Sequence, residues 1–98
     1  MPRSRVPEGR DLNELYAAVL RLRSLQDCRD FFLDLCTPAE LASLAGRWKV
    51  ARLVDQGLPY REIYRRSGVS TATVTRVARA LVYGAKGYRR MLDKVKKA

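Results

Sequence analysis

Two short helical runs parted by one glycine constrain this chain more than any other feature. Residues 60–83 read YREIYRRSGVSTATVTRVARALVY. The first run has Ile63 and Tyr64 on one side and Arg61, Arg65 and Arg66 around the rest. Gly68 ends it, because a glycine just past a helix end takes the left-handed conformation at almost no steric cost. Ser70 then stands where an N-cap belongs, its hydroxyl placed to accept from a free backbone N–H one turn later. In the second run Val74, Val77, Ala78 and Leu81 recur at three- and four-residue steps, one apolar stripe. Thr71, Thr73, Thr75, Arg76 and Arg79 lie off that stripe. The pattern is that of a helix-turn-helix, in which Ile63, Val69, Val74 and Val77 share a small core and the second helix presents its N-terminal residues to DNA. An ordinary helical hairpin with a solvated basic face is the plainer alternative.

The charge sits with this segment. The 98 residues carry 20 Lys and Arg against 10 Asp and Glu, a formal charge of +10. Residues 1–37 hold six basic and six acidic side chains, whereas residues 38–98 hold fourteen and four. The whole excess therefore falls in the half containing the two runs, the electrostatic footprint of a polyanion binder. There is no histidine, which removes the commonest general base and metal ligand. Cys28 and Cys36 lack CxxC spacing and read as small apolar residues rather than metal ligands. No acid–base or nucleophile constellation appears, so no catalysis, cofactor or metal is expected. No apolar run approaches the about 20 residues of a membrane span, and no leader is visible. A cytoplasmic, nucleoid-associated setting is expected.

Taken in order, Met1–Arg10 is aperiodic and reads as a flexible arm, followed by a single domain over 11–98. Asp11 and Glu14 have capping-box spacing and open a helix whose face runs Leu12, Leu15, Tyr16, Val19, Leu22 and Leu25, with Arg21 and Arg23 near its end. A second helix is expected from Asp27 to about Cys36. Its Phe31, Phe32, Leu33 and Leu35 cannot all face one way. Thr37-Pro38-Ala39-Glu40 is a capping box with proline at the first helical position, opening a third helix that runs to about Gln56 and stops at Gly57. This helix is apolar on several faces, which implies burial against many neighbours, one of them a second copy of the chain. A last helix over about Tyr88–Lys97 carries Met91, Leu92 and Val95 on one side; its Arg89, Arg90, Lys94, Lys96 and Lys97 are free either for phosphates or for solvent.

Thr37-Pro38-Ala39-Glu40, Gly46-Arg47, Arg61-Glu62-Ile63 and Thr71-Ala72-Thr73-Val74-Thr75-Arg76 together resemble the tryptophan repressor superfamily, and most of all its YerC-type branch. The resemblance runs from about Leu35 to Leu81 and more loosely over the first two helices. It implies an all-α fold of six helices and an intertwined homodimer, with two reading heads entering successive major grooves about 34–36 Å apart on a palindromic site. It also implies that Arg47 and Arg76 match the two arginines that flank the co-repressor. The sequence departs from that family where the ligand lies. Val77 stands where the tryptophan repressor has a glycine that leaves room for the indole, and Ala80 matches a serine near the ligand amine. Arg47, Arg76, Val77 and Ala80 then mark a vestigial pocket, and tryptophan is not expected as co-repressor.

The function expected is a sequence-specific, repressor-like regulator of transcription. Thr71, Ala72 and Thr73 are placed for base edges, where threonine and alanine methyls suit the thymine methyl. Arg61 resembles the family's base-reading arginine, with a phosphate contact as its alternative. Arg65, Arg66, Ser70, Thr75, Arg76 and Arg79 read as phosphate contacts, which position the protein without specifying sequence. The alternatives are the DNA-binding module of a transposase or recombinase and a non-specific nucleic-acid binder.

Overall fold

A computed structural model of the chain describes residues 9–97, and among them forms six α-helices and no strand. The helices are α1 (Arg10–Val19), α2 (Leu25–Leu35), α3 (Pro38–Asp55), α4 (Tyr60–Ser67), α5 (Thr71–Tyr83) and α6 (Gly87–Lys97). They fall into two compact units that divide between Thr37 and Pro38. The arm expected over Met1–Arg10 lies, up to Glu8, outside the described residues, and Arg10 is already helical.

In the first unit, α1 begins one residue ahead of Asp11, which sits in the first turn and makes no cap. The capping box with Glu14 does not form, because a cap needs non-helical backbone and Asp11 is already inside the helix. Gly9 takes the cap position instead, at φ 92°. Asp11 keeps its favourable place at the positive end of the helix dipole. The helix also stops earlier than the apolar stripe suggested, at Val19. Leu20 and Arg21 turn off it through bonds to Tyr16 and Ala18 carbonyls, so Arg21 and Arg23 lie beyond its end. Ser24 caps α2, its Oγ accepting from the Asp27 N–H at 3.0 Å. This starts the helix at Leu25, two residues ahead of expectation. Phe31 and Phe32 meet edge to face, centroids 5.8 Å apart. Neither α1 nor α2 contains a buried residue. Leu20 is 85% exposed and Leu25 73%.

The second unit has the core. Val50, Ala51 and Leu53 from the C-terminal half of α3 meet Ile63 of α4 and Val74 and Val77 of α5. Trp48, Val54, Leu58, Val69 and Tyr88 are partly buried against them. α3 ends as expected at Gly57, where the Gly57 N–H bonds the Val54 carbonyl at 2.9 Å and the Leu58 N–H reaches Leu53 at 3.4 Å, a Schellman closure. α6 closes the unit. Leu92 is buried, and Tyr88 stacks on Trp48 with centroids 6.4 Å apart and rings 21° from parallel.

Two of the α6 cations that had been free for phosphate or solvent have a partner in α3. Arg89 Nη2 reaches Asp55 Oδ1 at 2.9 Å and Lys96 Nζ reaches Oδ2 at 2.6 Å, and the Asp55 side chain is only 10% exposed. Their hydrogen bonds, Lys96 first and Arg89 second, hold the Asp55 carboxyl below its ordinary 3.8. Asp55→Asn is expected to lower unfolding stability by about 1–2 kcal/mol, at the low end for charged hydrogen bonds because both cations are substantially solvated. A carboxylate with a depressed folded pKa contributes fully above its ordinary value and loses that contribution as pH falls. Urea midpoints of the two proteins should therefore converge below about pH 4.

Candidate nucleic-acid interface

α3 supports the α4–turn–α5 segment from beneath. Lys49 Nζ donates to the Arg66 carbonyl at 3.3 Å, setting a cation at the negative end of α4. Gly46 lies where Val69 of the turn approaches α3. A Cβ at this position would stand 3.1 Å from Val69 Cγ2, so a glycine inside an 18-residue helix makes room for the bend. Gly68 sits at φ 71°, ψ 6°, the left-handed region, and its N–H bonds the Tyr64 carbonyl at 2.9 Å. The Val69 N–H donates to Ser67 Oγ at 3.1 Å.

Ser70 caps α5 as its sequence position predicts. Its Oγ accepts from the Thr73 N–H at 3.2 Å and donates to Thr73 Oγ1 at 3.1 Å. The tip of α5 is thereby held. Thr71 and Ala72 are exposed at that tip, whereas Thr73 is half-buried with its hydroxyl joined to Ser70. Of the three expected base readers, two stand open and the third also serves the cap. Ala72, Thr75, Arg76 and Arg79 line one shallow depression along the exposed side of α5. Arg61 is exposed on α4 with no ion-pair partner among the described residues.

Arg65 and Arg66 are exposed too, but they are not free. Arg65 Nε donates to Glu62 Oε1 at 3.2 Å, and its Nη2 bonds Glu62 Oε2. Arg66 Nε donates to the same Oε2 at 2.9 Å. The hydrogen bonds from Arg65, then Arg66, pull the Glu62 pKa down from 4.5 to about 2. Glu62 was passed over in the sequence, although a carboxylate three and four residues ahead of two arginines on a helix is the signal for such pairing.

The four residues of the supposed ligand pocket are not gathered into one cavity. Val77 is 1% exposed and belongs to the core. Arg47 is exposed on α3, and Arg76 lines the polar depression. Ala80 instead lines an apolar hollow of about 450 Å³ with Trp48, Ala85, Lys86, Gly87, Tyr88 and Met91. No group of three metal-ligating side chains occurs among the described residues, and no helix there is long and apolar enough to cross a membrane. Cys28 and Cys36 are free thiols, half-buried on or next to α2.

Comparison with known proteins agrees with this geometry. A family model described as Trp repressor protein matches residues 10–96. The chain is 46% identical over 88 residues to the uncharacterized protein YerC of Bacillus subtilis (strain 168), spanning 90% of this chain and 85% of that one. A putative Trp repressor from Staphylococcus aureus superposes with a TM-score of 0.87 at 43% identity, over 91% of this chain and 89% of that one. A TrpR like protein from Eubacterium eligens ATCC 27750 superposes with a TM-score of 0.84 at 38% identity, over 88% and 89%.

Proposed function

This chain belongs to the Trp repressor family, and on that premise we propose that it is a repressor-like transcriptional regulator that binds a palindromic DNA operator as a homodimer. The observation that carries the reading is the α5 tip. A left-handed Gly68 and the capping Ser70 hold it in place while Thr71 and Ala72 stand exposed. Rigid presentation of two or three side chains at a helix N-terminus is what base reading in a major groove requires. Arg61 joins them as a bidentate reader of guanine, and Ser70, Thr75, Arg76, Arg79, Arg65 and Arg66 take phosphates. The N-terminal helices support the dimer: no residue of α1 or α2 is fully buried, and their exposed apolar residues call for a second copy. With Val77 already filling its place in the core, the reading head needs no tryptophan to be set. Such a protein works in the cytoplasm, on the nucleoid.

Selection of bound sequences from a random duplex pool, with and without L-tryptophan, tests the whole reading. A two-fold symmetric consensus, the same in both pools, is the expected result; recovery of no consensus would overturn it. On the selected site, Arg61→Ala should cost about 1–3 kcal/mol and relax preference at one position. Arg79→Ala should weaken all sequences alike and lower the salt slope by about one unit.

A further inference from the structure

We propose that Glu62 is a specificity-determining residue: its carboxylate occupies Arg65 and Arg66 in the free protein and withholds them from DNA phosphates until base contacts have set the register. The inference rests on the DNA-binding reading above and refines it. Glu62 receives three hydrogen bonds from the two guanidinium groups, through both of its oxygens. A carboxylate and a phosphodiester each offer a pair of anionic oxygens to an arginine fork, so they compete for it. The three side chains lie on α4 beside Arg61 and next to the α5 tip in sequence, where a duplex would dock. Glu62 is 29% exposed and the two arginines are 70% and 50% exposed, so exchange of one anion for another needs no unfolding.

The consequence differs between the two kinds of complex. Binding to random DNA is almost wholly phosphate neutralisation with release of counterions. Glu62 offsets one of the two positive charges and engages both guanidinium groups, so the pair contributes less to it than two free arginines would. At a cognate site, Arg61, Thr71 and Ala72 hold the duplex close, and phosphates come within reach of Arg65 and Arg66. The guanidinium groups then exchange partners, with the base contacts offsetting the loss of Glu62. Because Glu62 titrates at about 2, it stays charged wherever duplex DNA is handled, and the restraint is permanent rather than switched by pH.

Glu62→Gln removes the charge and keeps the side-chain volume. Fluorescence anisotropy with the selected duplex and with a scrambled duplex, across a salt series, should show scrambled-DNA affinity rising about ten-fold at low salt. The log–log salt slope for that DNA should steepen by about one unit, for the one positive charge released. Affinity for the selected duplex should rise about three-fold or less, so that specificity falls. Adding Arg65→Gln and Arg66→Gln to Glu62→Gln should abolish the gain and bring scrambled-DNA affinity and slope to or below those of the unaltered protein, with helical circular dichroism unchanged in every variant. An unchanged slope in Glu62→Gln, or weaker scrambled-DNA binding, would overturn the proposal. Failure of the underlying reading looks different: the unaltered protein would then show no preference for the selected duplex.

Discussion

Replacing Ile63 by alanine should destabilise the second unit by about 2–5 kcal/mol, the cost of lost apolar transfer plus the cavity left behind. Ile63 is fully buried where α3, α4 and α5 meet, among Val50, Ala51, Val74 and Val77. It is also the only buried residue of α4, so the apolar seating of that helix rests on this one side chain. A unit of this size has roughly 3–9 kcal/mol of total stability, and the substitution should take most of it. Urea midpoints should fall accordingly, and binding to the selected duplex should be lost with the fold. Tyr64, its neighbour, is 48% exposed, and Tyr64→Ala should change stability by about 0.5 kcal/mol or less. Equal, small effects for the two would mean that α4 is not seated through Ile63.

Val77→Gly is the second large effect. Val77 stands in the middle of α5, 1% exposed. Its removal forfeits roughly 2–3 kcal/mol of burial and cavity cost, plus about 0.4 kcal/mol of helix propensity because valine is itself a weak helix former, for a total of about 3 kcal/mol. Beyond the stability loss, α5 loses the side chain that fixes its distance from α3. At a temperature where the variant remains folded, its affinity for the selected duplex should drop by about ten-fold, equivalent to roughly 1.4 kcal/mol. Calorimetry bears on the same residue in the unaltered protein: titration with L-tryptophan should give no saturable heat at micromolar ligand. Saturable binding there would show that Val77 does not fill the space it is held to fill, and would return tryptophan to the mechanism.

The second unit was largely legible in the residues. Gly57, Gly68, Ser70 and Pro38 are local signals, each acting through its own backbone or side chain, and each sits where its chemistry put it. The stripe of Val74, Val77 and Ala78 likewise needed only helical periodicity. The first unit was harder. Its apolar residues recur at helical spacing straight through the bend at Leu20 and Arg21, so periodicity carried the first helix past its end and started the second two residues late. The one corrective signal, Ser24 three residues ahead of Asp27, is a capping pattern that the longer stripe overshadowed. In the interface, Thr71, Ala72, Arg76 and Arg79 could be placed on the open side of α5 by counting residues. The pairing of Glu62 with Arg65 and Arg66 could have been found by the same counting. Asp55 with Arg89 and Lys96 could not, since 34 and 41 positions separate the partners and only the fold brings them together.

Every buried residue among those described lies between Val50 and Leu92. A ribosome therefore makes α1 and α2, neither of which has a fully buried residue, before it makes any part of the interior. At about 5–20 residues per second, Leu20 and Leu25 stay uncovered for several seconds of synthesis.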